Sequence, residues 1–442
     1  MSEENVMVIV LDSLRKDSIS PYDDSIDYTG NLDKISKDSE VFSKVVAQGP
    51  WTLPSHASMF TGQYPWEHEA TQKKIVLETD KKLLAQRFKD QGYKTALITP
   101  NGWLTPSKGT TKGFQEVKNF MGVAEGPVQK IVKSLSKVFD KLKPSRREKI
   151  ASYFNELAET FSDFKKSRPT VDETKAFLNN VDPDENFFVF VNLMTPHEPY
   201  TPGDPPQEYL DKHGVKDISK VPETEEDYLK EETDEEEIKK AYKAGVDYTD
   251  DLVGEIYDCF KENGLDENTN LVILSDHGQA LGEEGIFSHQ FTVTDSVINT
   301  ALMIKEPGKE NTVKDSGLME LKDLYEIIPK LAGLKHSEIK DRDIAKGGYE
   351  YPEFFMGWIP EDMKENLNRK YRFMKKGNKK IVKSLSRNGD TSYKMINTET
   401  GEQLEIDEEM KKQVDNIENT SEVQTDVEDE EVKKRLEDLG YM

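Results

Sequence analysis

Short apolar runs that alternate with helical patterns constrain the fold of this chain more than any other feature. Four runs are too short for helices and consist mainly of β-branched, aromatic and other apolar residues, which indicates buried strands. Amphipathic helical patterns lie between them, as at residues 83–91 and 242–263. The four runs cover residues 6–11, 94–98, 187–194 and 270–275. Strands that alternate with helices predict an α/β fold, with a mostly parallel sheet and helices on both of its faces.

The pattern changes at two places, and these changes set the predicted domain organisation. We predict a large domain over residues 1–346 and a small C-terminal α+β subdomain over residues 347–442 that ends in an acidic tail. Residues 124–168 show two amphipathic stretches, which predict a helical hairpin inserted into the large domain.

The predicted hairpin is basic, with eleven Lys or Arg and six Asp or Glu in a chain of net charge −25. Three interpretations are open. We favour a hairpin that packs on the sheet domain with its lysines in solvent. The alternatives are a lid that steers anions towards a site, or a contact with an anionic membrane.

Charge and cysteine content exclude several classes of protein. A net charge of −25 repels phosphate backbones over most of the surface, which excludes general nucleic-acid binding. The single cysteine, Cys259, excludes internal disulfides and a cysteine-based metal cluster. No uncharged apolar run approaches the ~18 residues of a membrane span, and no signal-peptide pattern is present at the start. We therefore expect a cytoplasmic protein.

Polar residues follow three of the predicted strands. Asp12 follows the first run, His197 follows the third, and the pair Asp276 and His277 follows the fourth. Ligands of open α/β sheets bind at the carboxyl ends of the strands, so these side chains are expected to lie together. Buried carboxylates beside an imidazole are unfavourable unless a cation neutralises them. The mixed donors favour Zn²⁺ or Mn²⁺, with Ca²⁺ or Mg²⁺ as alternatives.

Several motifs resemble one known family. Residues 50–65 read PWTLPSHASMFTGQYP. Further motifs are LDSLRKDSI from Leu11, TPHEPY from Thr195 and SDHGQALGEEGIFSHQ from Ser275. Together they resemble the sulfatase branch of the alkaline phosphatase superfamily over nearly the whole chain. The resemblance implies an alkaline-phosphatase-like sandwich, a metal-dependent active site and hydrolysis of an ester.

Two positions depart from the sulfatase pattern. A sulfatase has Cys or Ser at the nucleophile position for conversion to formylglycine, whereas this chain has Thr52, which cannot be converted. Threonine there resembles the nucleotide pyrophosphatase and phosphodiesterase branches, in which it acts directly as nucleophile and metal ligand. The implied metal ligands are Asp12, Thr52, Asp276 and His277. Ser13 stands where many sulfatases have a second Asp, so this site lacks one carboxylate.

Three histidines are further catalytic candidates. His197 is a candidate to protonate the leaving alkoxide. His289 stands where sulfatases commonly have Lys, and it is a candidate to hold a nonbridging oxygen or to bind a second metal with His197. His56 replaces the usual Arg of the nucleophile segment, and the alternative is that it caps a helix beginning near Ala57. His68 is expected to be structural.

These features predict a metal-dependent hydrolase that cleaves a phosphate monoester or diester through a covalent intermediate on Thr52. A sulfate ester is the second candidate substrate. A noncatalytic, metal-stabilised binding protein of the same fold is the third hypothesis. The expected partner is an anionic ester, either a small molecule or one linked to a glycan or a lipid.

Overall fold

The computed structural model describes residues 4–120, 167–200, 204–222, 225–230, 233–309, 317–339 and 342–417. The hairpin predicted at residues 124–168 lies outside these ranges except for its last two residues, and so does the acidic tail after residue 417. All three interpretations of the hairpin therefore stay predictions.

A seven-stranded sheet forms the centre of the large domain. The strands are β1 (Asn5–Leu11), β2 (Glu40–Val41), β3 (Val45–Val46), β4 (Lys94–Thr99), β5 (Glu116–Asn119), β6 (Phe187–Leu193), β7 (Thr269–Leu274), β8 (Ala280–Leu281), β9 (Phe287–Ser288), β10 (Asn299–Thr300), β11 (Leu302–Lys305), β12 (Met319–Glu320), β13 (Ile344–Tyr349), β14 (Arg369–Lys376), β15 (Lys379–Ser386) and β16 (Thr391–Asn397). The order in the large sheet is β2-β11-β7-β1-β6-β4-β5. The five strands from β7 to β5 in that order are parallel, whereas β11 runs antiparallel to both of its neighbours.

Helices cover both faces of this sheet. They are α1 (Gly30–Ser36), α2 (Thr52–Thr61), α3 (Pro65–His68), α4 (Leu84–Lys89), α5 (Ser167–Asn179), α6 (Gln207–Lys212), α7 (Glu225–Lys230), α8 (Glu235–Glu262), α9 (Asp295–Ile298), α10 (Leu324–Leu331), α11 (Lys364–Leu367) and α12 (Glu408–Asp415). Short 3₁₀ turns lie at Lys16–Ser18, Pro106–Lys108, Ile218–Lys220, Leu265–Glu267, Glu283–Gly285 and Leu321–Asp323. Among the described residues, no helix is both long enough and apolar enough to cross a bilayer.

The two faces of the sheet have separate apolar cores. Side chains alternate along a strand, so the even-numbered residues of β1 point to one face and the odd-numbered residues to the other. Helices α2, α4 and α10 pack on the first face, and α1, α5 and α8 on the second. All seven residues of β1 are buried, which explains why the run reads as continuously apolar rather than alternating. The predicted α/β sandwich is confirmed.

The longest helix, α8, begins inside an acidic run at residues 223–237, which the sequence predicts to be a solvated loop and a helix start. Asp234 caps α8 by accepting a hydrogen bond from the backbone N–H of Glu237, and acidic residues fill the first turn. Negative charge there is favourable because the N-terminus of a helix carries partial positive charge. Glu237 itself is buried and accepts a 2.6 Å hydrogen bond from the N–H of Lys216. The acidic run is therefore partly a structural element.

The C-terminal subdomain is a four-stranded antiparallel sheet in the order β13-β14-β15-β16. Helix α12 packs on it through Met410 and Val414. The sequence predicts three short strands here, at residues 372–374, 380–382 and 393–396, and each observed strand is longer. The fourth strand, β13, spans Ile344–Tyr349 and so crosses the predicted boundary between residues 346 and 347.

Candidate active site

Adjacent parallel strands deliver polar side chains to one edge of the large sheet. β1 lies between β6 and β7, so the residues that follow these three strands meet. Asp12 follows β1, His197 follows β6, and Asp276 and His277 follow β7. The next strand along, β4, leads to Asn101. The site therefore lies at the carboxyl ends of the strands, where open α/β sheets bind their ligands.

Asp12, Asp276 and His277 form a first cluster, and all three are fully buried. Nε2 of His277 lies 3.6 Å from Oδ1 of Asp12 and 3.5 Å from Oδ2 of Asp276. Two donor atoms that share one cation, through bonds of about 2.1–2.4 Å, are about 3.0–3.5 Å apart. Nδ1 of His277 donates to the carbonyl of Gly278 at 2.9 Å, which leaves the lone pair on Nε2. The cluster is arranged to hold one divalent cation.

The hydrogen bonding of this cluster supports the same conclusion. Oδ2 of Asp276 and Nε2 of His277 are buried, and neither has a hydrogen-bond partner among the described residues. Burial and the neighbouring Asp12 carboxylate raise the pKa of Asp276 well above its usual value, while burial lowers the pKa of His277. A cation would bind both lone pairs and favour the charged carboxylate and the neutral imidazole. The donor set therefore fits a divalent metal ion.

Thr52 is the first residue of α2, and its hydroxyl lies beside the first cluster. Oγ1 is 3.5 Å from Oδ2 of Asp12. The helix begins here because Trp51 is extended (φ −150°, ψ 168°) and Pro54 stands in the first turn, where no intrahelical N–H is needed. The helix start predicted near Ala57 is wrong, since Pro54 belongs to the helix. The N-terminus of α2 therefore points its partial positive charge at the site.

Ser55 and His56 connect α2 to the end of β7. Ser55 Oγ donates a 2.7 Å hydrogen bond to the carbonyl of Asp276. Nδ1 of His56 donates to the carbonyl of Thr52 at 3.0 Å and lies 3.5 Å from Oδ2 of Asp276. Burial lowers the pKa of His56 to about 4, and its ring packs against Phe190. His56 lies one turn inside α2, so it does not cap the helix. These contacts place it behind Asp276 as a positioning residue.

His197, Glu198 and His289 form a second cluster, with donor atoms that lie within 4.8 Å of one another. Glu198 and His289 are buried, and His197 is partly exposed. Ser288 Oγ donates to Oε1 of Glu198 at 2.6 Å, and the Gln279 amide donates to Oε2. The two histidines were predicted as site residues, but Glu198 was not. Its neighbour in sequence, His197, was the available signal.

The two clusters are contiguous. The ring centroid of His289 lies 4.5 Å from that of His277 and 5.0 Å from that of His197. Burial and these two neighbouring imidazoles hold the pKa of His289 well below its usual value, so the ring is neutral at physiological pH. A neutral imidazole can donate a lone pair to a cation.

Asn101 is a site residue that was not predicted, although it follows the predicted strand at residues 94–98. Its Nδ2 donates to Oδ2 of Asp12 at 2.8 Å and lies 3.5 Å from Oγ1 of Thr52. Its Oδ1 accepts a 2.8 Å hydrogen bond from the N–H of Trp103, which fixes the orientation of the amide. Asn192, from β6, donates to the same oxygen of Asp12 at 3.4 Å. The carboxylate of Asp12 therefore accepts hydrogen bonds from β6 and from the loop that follows β4.

Ser13 occupies the position at which many sulfatases have a second Asp. Its Oγ donates to Oδ1 of Asp12 at 3.2 Å, and its backbone N–H donates to Oδ1 of Asp276 at 3.3 Å. The residue has φ 60°, and this conformation directs the N–H at the second carboxylate. Ser13 thus supports two predicted ligands.

Other polar residues considered from the sequence lie outside the two clusters. His68 is buried, with Nε2 3.1 Å from the hydroxyl of Ser58, as expected of a structural histidine. His213 pairs with Asp247 at 2.7 Å on the second face of the sheet. Cys259 is buried in the second core.

Comparison with known proteins identifies the family. The model of the sulfatase family matches residues 4–334, which is more than half of the chain. An ulvan-active sulfatase of Formosa agariphila is 26% identical over 353 residues, a match that covers 77% of this chain and 63% of that relative. The chain therefore spans less than two thirds of the length of this relative.

Solved structures show the same fold. A phosphonate monoester hydrolase of Agrobacterium radiobacter superposes with a TM-score of 0.64 at 15% identity, covering 90% of each chain. BT4656, solved in complex with its substrate D-glucosamine-2-N,6-O-disulfate, has a TM-score of 0.64 at 14% identity, covering 90% of this chain and 92% of that one. The family model and the shared fold confirm the resemblance found in the sequence, and this chain belongs to the sulfatase family.

Proposed function

We propose that the protein is a metal-dependent ester hydrolase in which Thr52 attacks a phosphate monoester or diester directly. The position of Thr52 carries this proposal: its hydroxyl lies 3.5 Å from a carboxylate oxygen of Asp12, beside the first cluster and at the N-terminus of α2. A threonine hydroxyl is a weak nucleophile until it is deprotonated. A divalent cation on Asp12, Asp276 and His277 would supply that activation and offset the charge of the transferring group.

Residues of this chain are also available for the other steps of the reaction. Attack forms a bond between Oγ1 of Thr52 and phosphorus as the bond to the leaving oxygen breaks. The amide of Asn101, 3.5 Å from that hydroxyl, is placed to donate to a nonbridging oxygen. The leaving oxygen takes up a proton, for which His197 is the predicted donor. Water then cleaves the phosphothreonine ester and restores the hydroxyl, which releases phosphate from a monoester substrate or a phosphate monoester from a diester substrate.

The choice of phosphate over sulfate depends on the nucleophile. The resemblance implies that sulfatases expel sulfate by elimination from the formylglycine hydrate, and a threonine ester cannot react in that way. Sulfate esters are the second candidate because named relatives act as sulfatases. The structural neighbours include a phosphonate monoester hydrolase and a protein bound to a sulfated sugar, which supports an anionic ester as the substrate class.

A noncatalytic binding protein is a weaker hypothesis. A buried group of two carboxylates and an imidazole is unfavourable for stability, and a mere scaffold has no need for it. A hydroxyl placed beside that group has no evident role in a scaffold either. Functional sites are where such unfavourable arrangements are retained.

Substitution of Thr52 tests the proposal. Thr52→Val keeps the shape of the side chain and removes the hydroxyl, so hydrolysis of an aryl phosphate or bis-aryl phosphate should fall by about 10³-fold or more. Thr52→Ser should retain a measurable fraction of the rate. Acid quenching during turnover, followed by peptide mass spectrometry, should find a phosphoryl group on Thr52. Thr391→Val, at an exposed threonine of the C-terminal sheet, is the matched control.

Two outcomes would contradict the proposal. Wild-type turnover in Thr52→Val would show that this hydroxyl is not the nucleophile. Faster hydrolysis of an aryl sulfate than of either phosphate ester would make the sulfate ester the substrate class.

A further inference from the structure

We infer that an aromatic layer next to Thr52 binds the leaving group of the substrate, and that Lys108, at the far end of this layer, binds a carboxylate on that group. The side chains of the layer are Trp51, Trp103, Phe354 and Phe355. This assignment rests on the proposed function and extends it, because it names the class of leaving group. That class is a flat apolar ring that carries one negative charge.

The aromatic layer is continuous with the proposed reaction site. Trp51 directly precedes Thr52, and Trp103 donates its backbone N–H to the side chain of Asn101 at 2.8 Å. The rings of Trp51 and Trp103 pack at nearly right angles, with centroids 4.9 Å apart. Phe354, which is partly exposed, packs on Trp103 in the same way at 5.8 Å. Sites for organic ligands are lined mainly by apolar and aromatic side chains, with a few polar groups that fix the orientation. The layer therefore offers an apolar surface for a ring next to the nucleophile.

Lys108 brings a positive charge to this layer. Its ammonium group lies 4.8 Å from the centroid of the Trp103 ring, which is a cation–π contact. Among the described residues, no carboxylate forms an ion pair with Lys108. Glu353, the acidic residue next to Phe354, pairs with Arg387 at 2.7 Å instead. Burial lowers the pKa of Lys108 from 10.5 to about 8. A partly buried charge without a partner is unfavourable, and an anionic group of a ligand would neutralise it.

Two buried hydrogen-bond donors in the same region also lack partners. They are the indole N–H of Trp51 and the side-chain amide nitrogen of Gln72, neither of which has a partner among the described residues. The two residues are 1% and 2% exposed. Gln72 adjoins the layer, because its carbonyl accepts the N–H of Phe354 at 3.3 Å. A buried donor without a partner is unfavourable. These donors favour a ligand that is rich in acceptor oxygens, such as a phosphate ester with a carboxylate.

The order of the contacts sets the shape of the leaving group. Thr52 follows Trp51, Trp51 packs on Trp103, and Trp103 contacts Lys108. The positive charge therefore lies beyond two indole rings from the nucleophile, so a ligand that meets both needs a ring between its ester and its carboxylate. The contact with Lys108 is away from the reacting bond and is made equally in the bound substrate and in the transition state. Such a contact lowers KM and leaves kcat nearly unchanged.

Binding measured without turnover tests the inference. The probes are para-carboxyphenyl phosphate and its neutral counterpart, para-carbamoylphenyl phosphate, which differ in charge at the far end of the ring. In the metal-loaded, full-length Thr52→Val protein, which cannot form the covalent intermediate, calorimetry should give the carboxylate ester a Kd at least about tenfold lower, because hydrogen bonds to charged groups are among the stronger polar contacts. The double variant Thr52→Val/Lys108→Gln should bind the two esters about equally.

A matched control and a kinetic readout accompany this experiment. Lys112 is an exposed lysine of the same loop, so Thr52→Val/Lys112→Gln should keep the preference for the carboxylate ester. With Thr52 in place, Lys108→Gln should raise KM for the carboxylate ester by about tenfold with little change in kcat. Equal Kd values for the two esters in Thr52→Val, or an unchanged preference after Lys108→Gln, would overturn the inference. If Lys108→Gln fails to fold by circular dichroism, the comparison of the two esters in Thr52→Val decides the question.

The two proposals fail in different ways. A preference in binding that depends on Lys108, without turnover of either ester by wild type, would reject the proposed function and leave the anionic ring as the ligand of the layer. Turnover of both esters that depends on Thr52, with equal Kd values, would reject the role of Lys108 and leave the proposed function in place.

Discussion

The side-chain amide of Asn101 donates a 2.8 Å hydrogen bond to Oδ2 of Asp12, the same oxygen that lies 3.5 Å from the hydroxyl of Thr52. One carboxylate oxygen thus links the loop after β4 to the first residue of α2. The amide cannot reverse its orientation without losing the hydrogen bond from the N–H of Trp103. Asn101 therefore presents an N–H group both to the carboxylate of Asp12 and to the space beside the hydroxyl of Thr52.

Removal of this donor should impair the reaction. We expect Asn101→Ala to lower kcat/KM for the aryl phosphate by about 10²-fold, because the variant loses one hydrogen-bond donor to the charge that develops in the transition state. Steady-state kinetics and metal analysis of the same preparation measure the effect. Asn180→Ala is a matched control, since that side chain is exposed and donates to the carbonyl of Ala176, four residues earlier in the chain. An unchanged kcat/KM in Asn101→Ala would remove Asn101 from the reaction.

Metal retention should depend on pH through Asp276. Burial and the Asp12 carboxylate raise the pKa of Asp276 well above its usual 3.8 in the metal-free site, so a proton competes with the cation for this carboxylate. Lower pH favours the protonated form. The metal should therefore be lost as the pH falls, by up to about tenfold in apparent Kd per pH unit for each proton displaced.

Competition with a chelator between pH 8 and pH 5 measures this dependence. Asp276→Asn removes both a ligand and the titrating group, so it should bind the metal more weakly and with a smaller pH slope. His213→Gln should match wild type. A wild-type affinity that does not change with pH would mean that Asp276 is already ionised in the metal-free protein.

The first cluster could be predicted because each of its residues is marked by the sequence immediately before it. Asp12, Asp276 and His277 directly follow buried strands, and parallel strands end at one edge of a sheet. Glu198 and Asn101 also follow predicted strands, but nothing in the sequence distinguishes them from residues of an ordinary turn. A charged residue between prolines, as in TPHEPY, is typical of an exposed turn. Glu198 is instead buried and accepts hydrogen bonds from Gln279 and Ser288, which lie 81 and 90 residues further along the chain.

The predicted start of the C-terminal subdomain, at residue 347, falls inside β13 for a related reason. β13 contains Gly347 and Gly348, and glycine weakens the sequence signal of a strand. A Cβ at Gly347 would lie 2.4 Å from the ring of Phe373, and one at Gly348 would lie 2.7 Å from the carbonyl of Tyr371. The close packing that requires these glycines depends on β14, which follows later in the chain.

Gly62, which ends α2, should be sensitive to substitution. It has φ 68°, and a Cβ there would lie 2.9 Å from the ring of Tyr325. Gly62→Ala should therefore combine about 1 kcal/mol of backbone strain with about 1–3 kcal/mol from overpacking. Gly214→Ala isolates the first part, because Gly214 has φ 72° and open space around the Cβ position. Urea unfolding of both variants measures the difference, and equal losses would mean that Tyr325 moves aside.

His68 should contribute to acid sensitivity independently of the metal site. Its Nε2 lies 3.1 Å from the hydroxyl of Ser58, and its Nδ1 accepts the N–H of Ala70, so both nitrogens are engaged by the neutral ring. Burial lowers its pKa from 6.5 to about 3. The unfolded chain therefore binds more protons than the folded one between pH 6.5 and about pH 3. Stability contributed by His68 is complete above that window and is lost as the pH falls, by up to about 1.4 kcal/mol per pH unit.

The change His68→Gln removes this proton uptake, whatever it does to the absolute stability. The free energy of unfolding, measured in urea from pH 7 down to pH 4, should therefore fall less steeply in the variant than in wild type. His336→Gln serves as the control, because His336 is exposed, and its slope should equal that of wild type. All other histidines are unchanged in His68→Gln, so its difference in slope from wild type reports His68 alone. An identical slope in His68→Gln would show that the ring becomes protonated without leaving its place between Ser58 and Ala70.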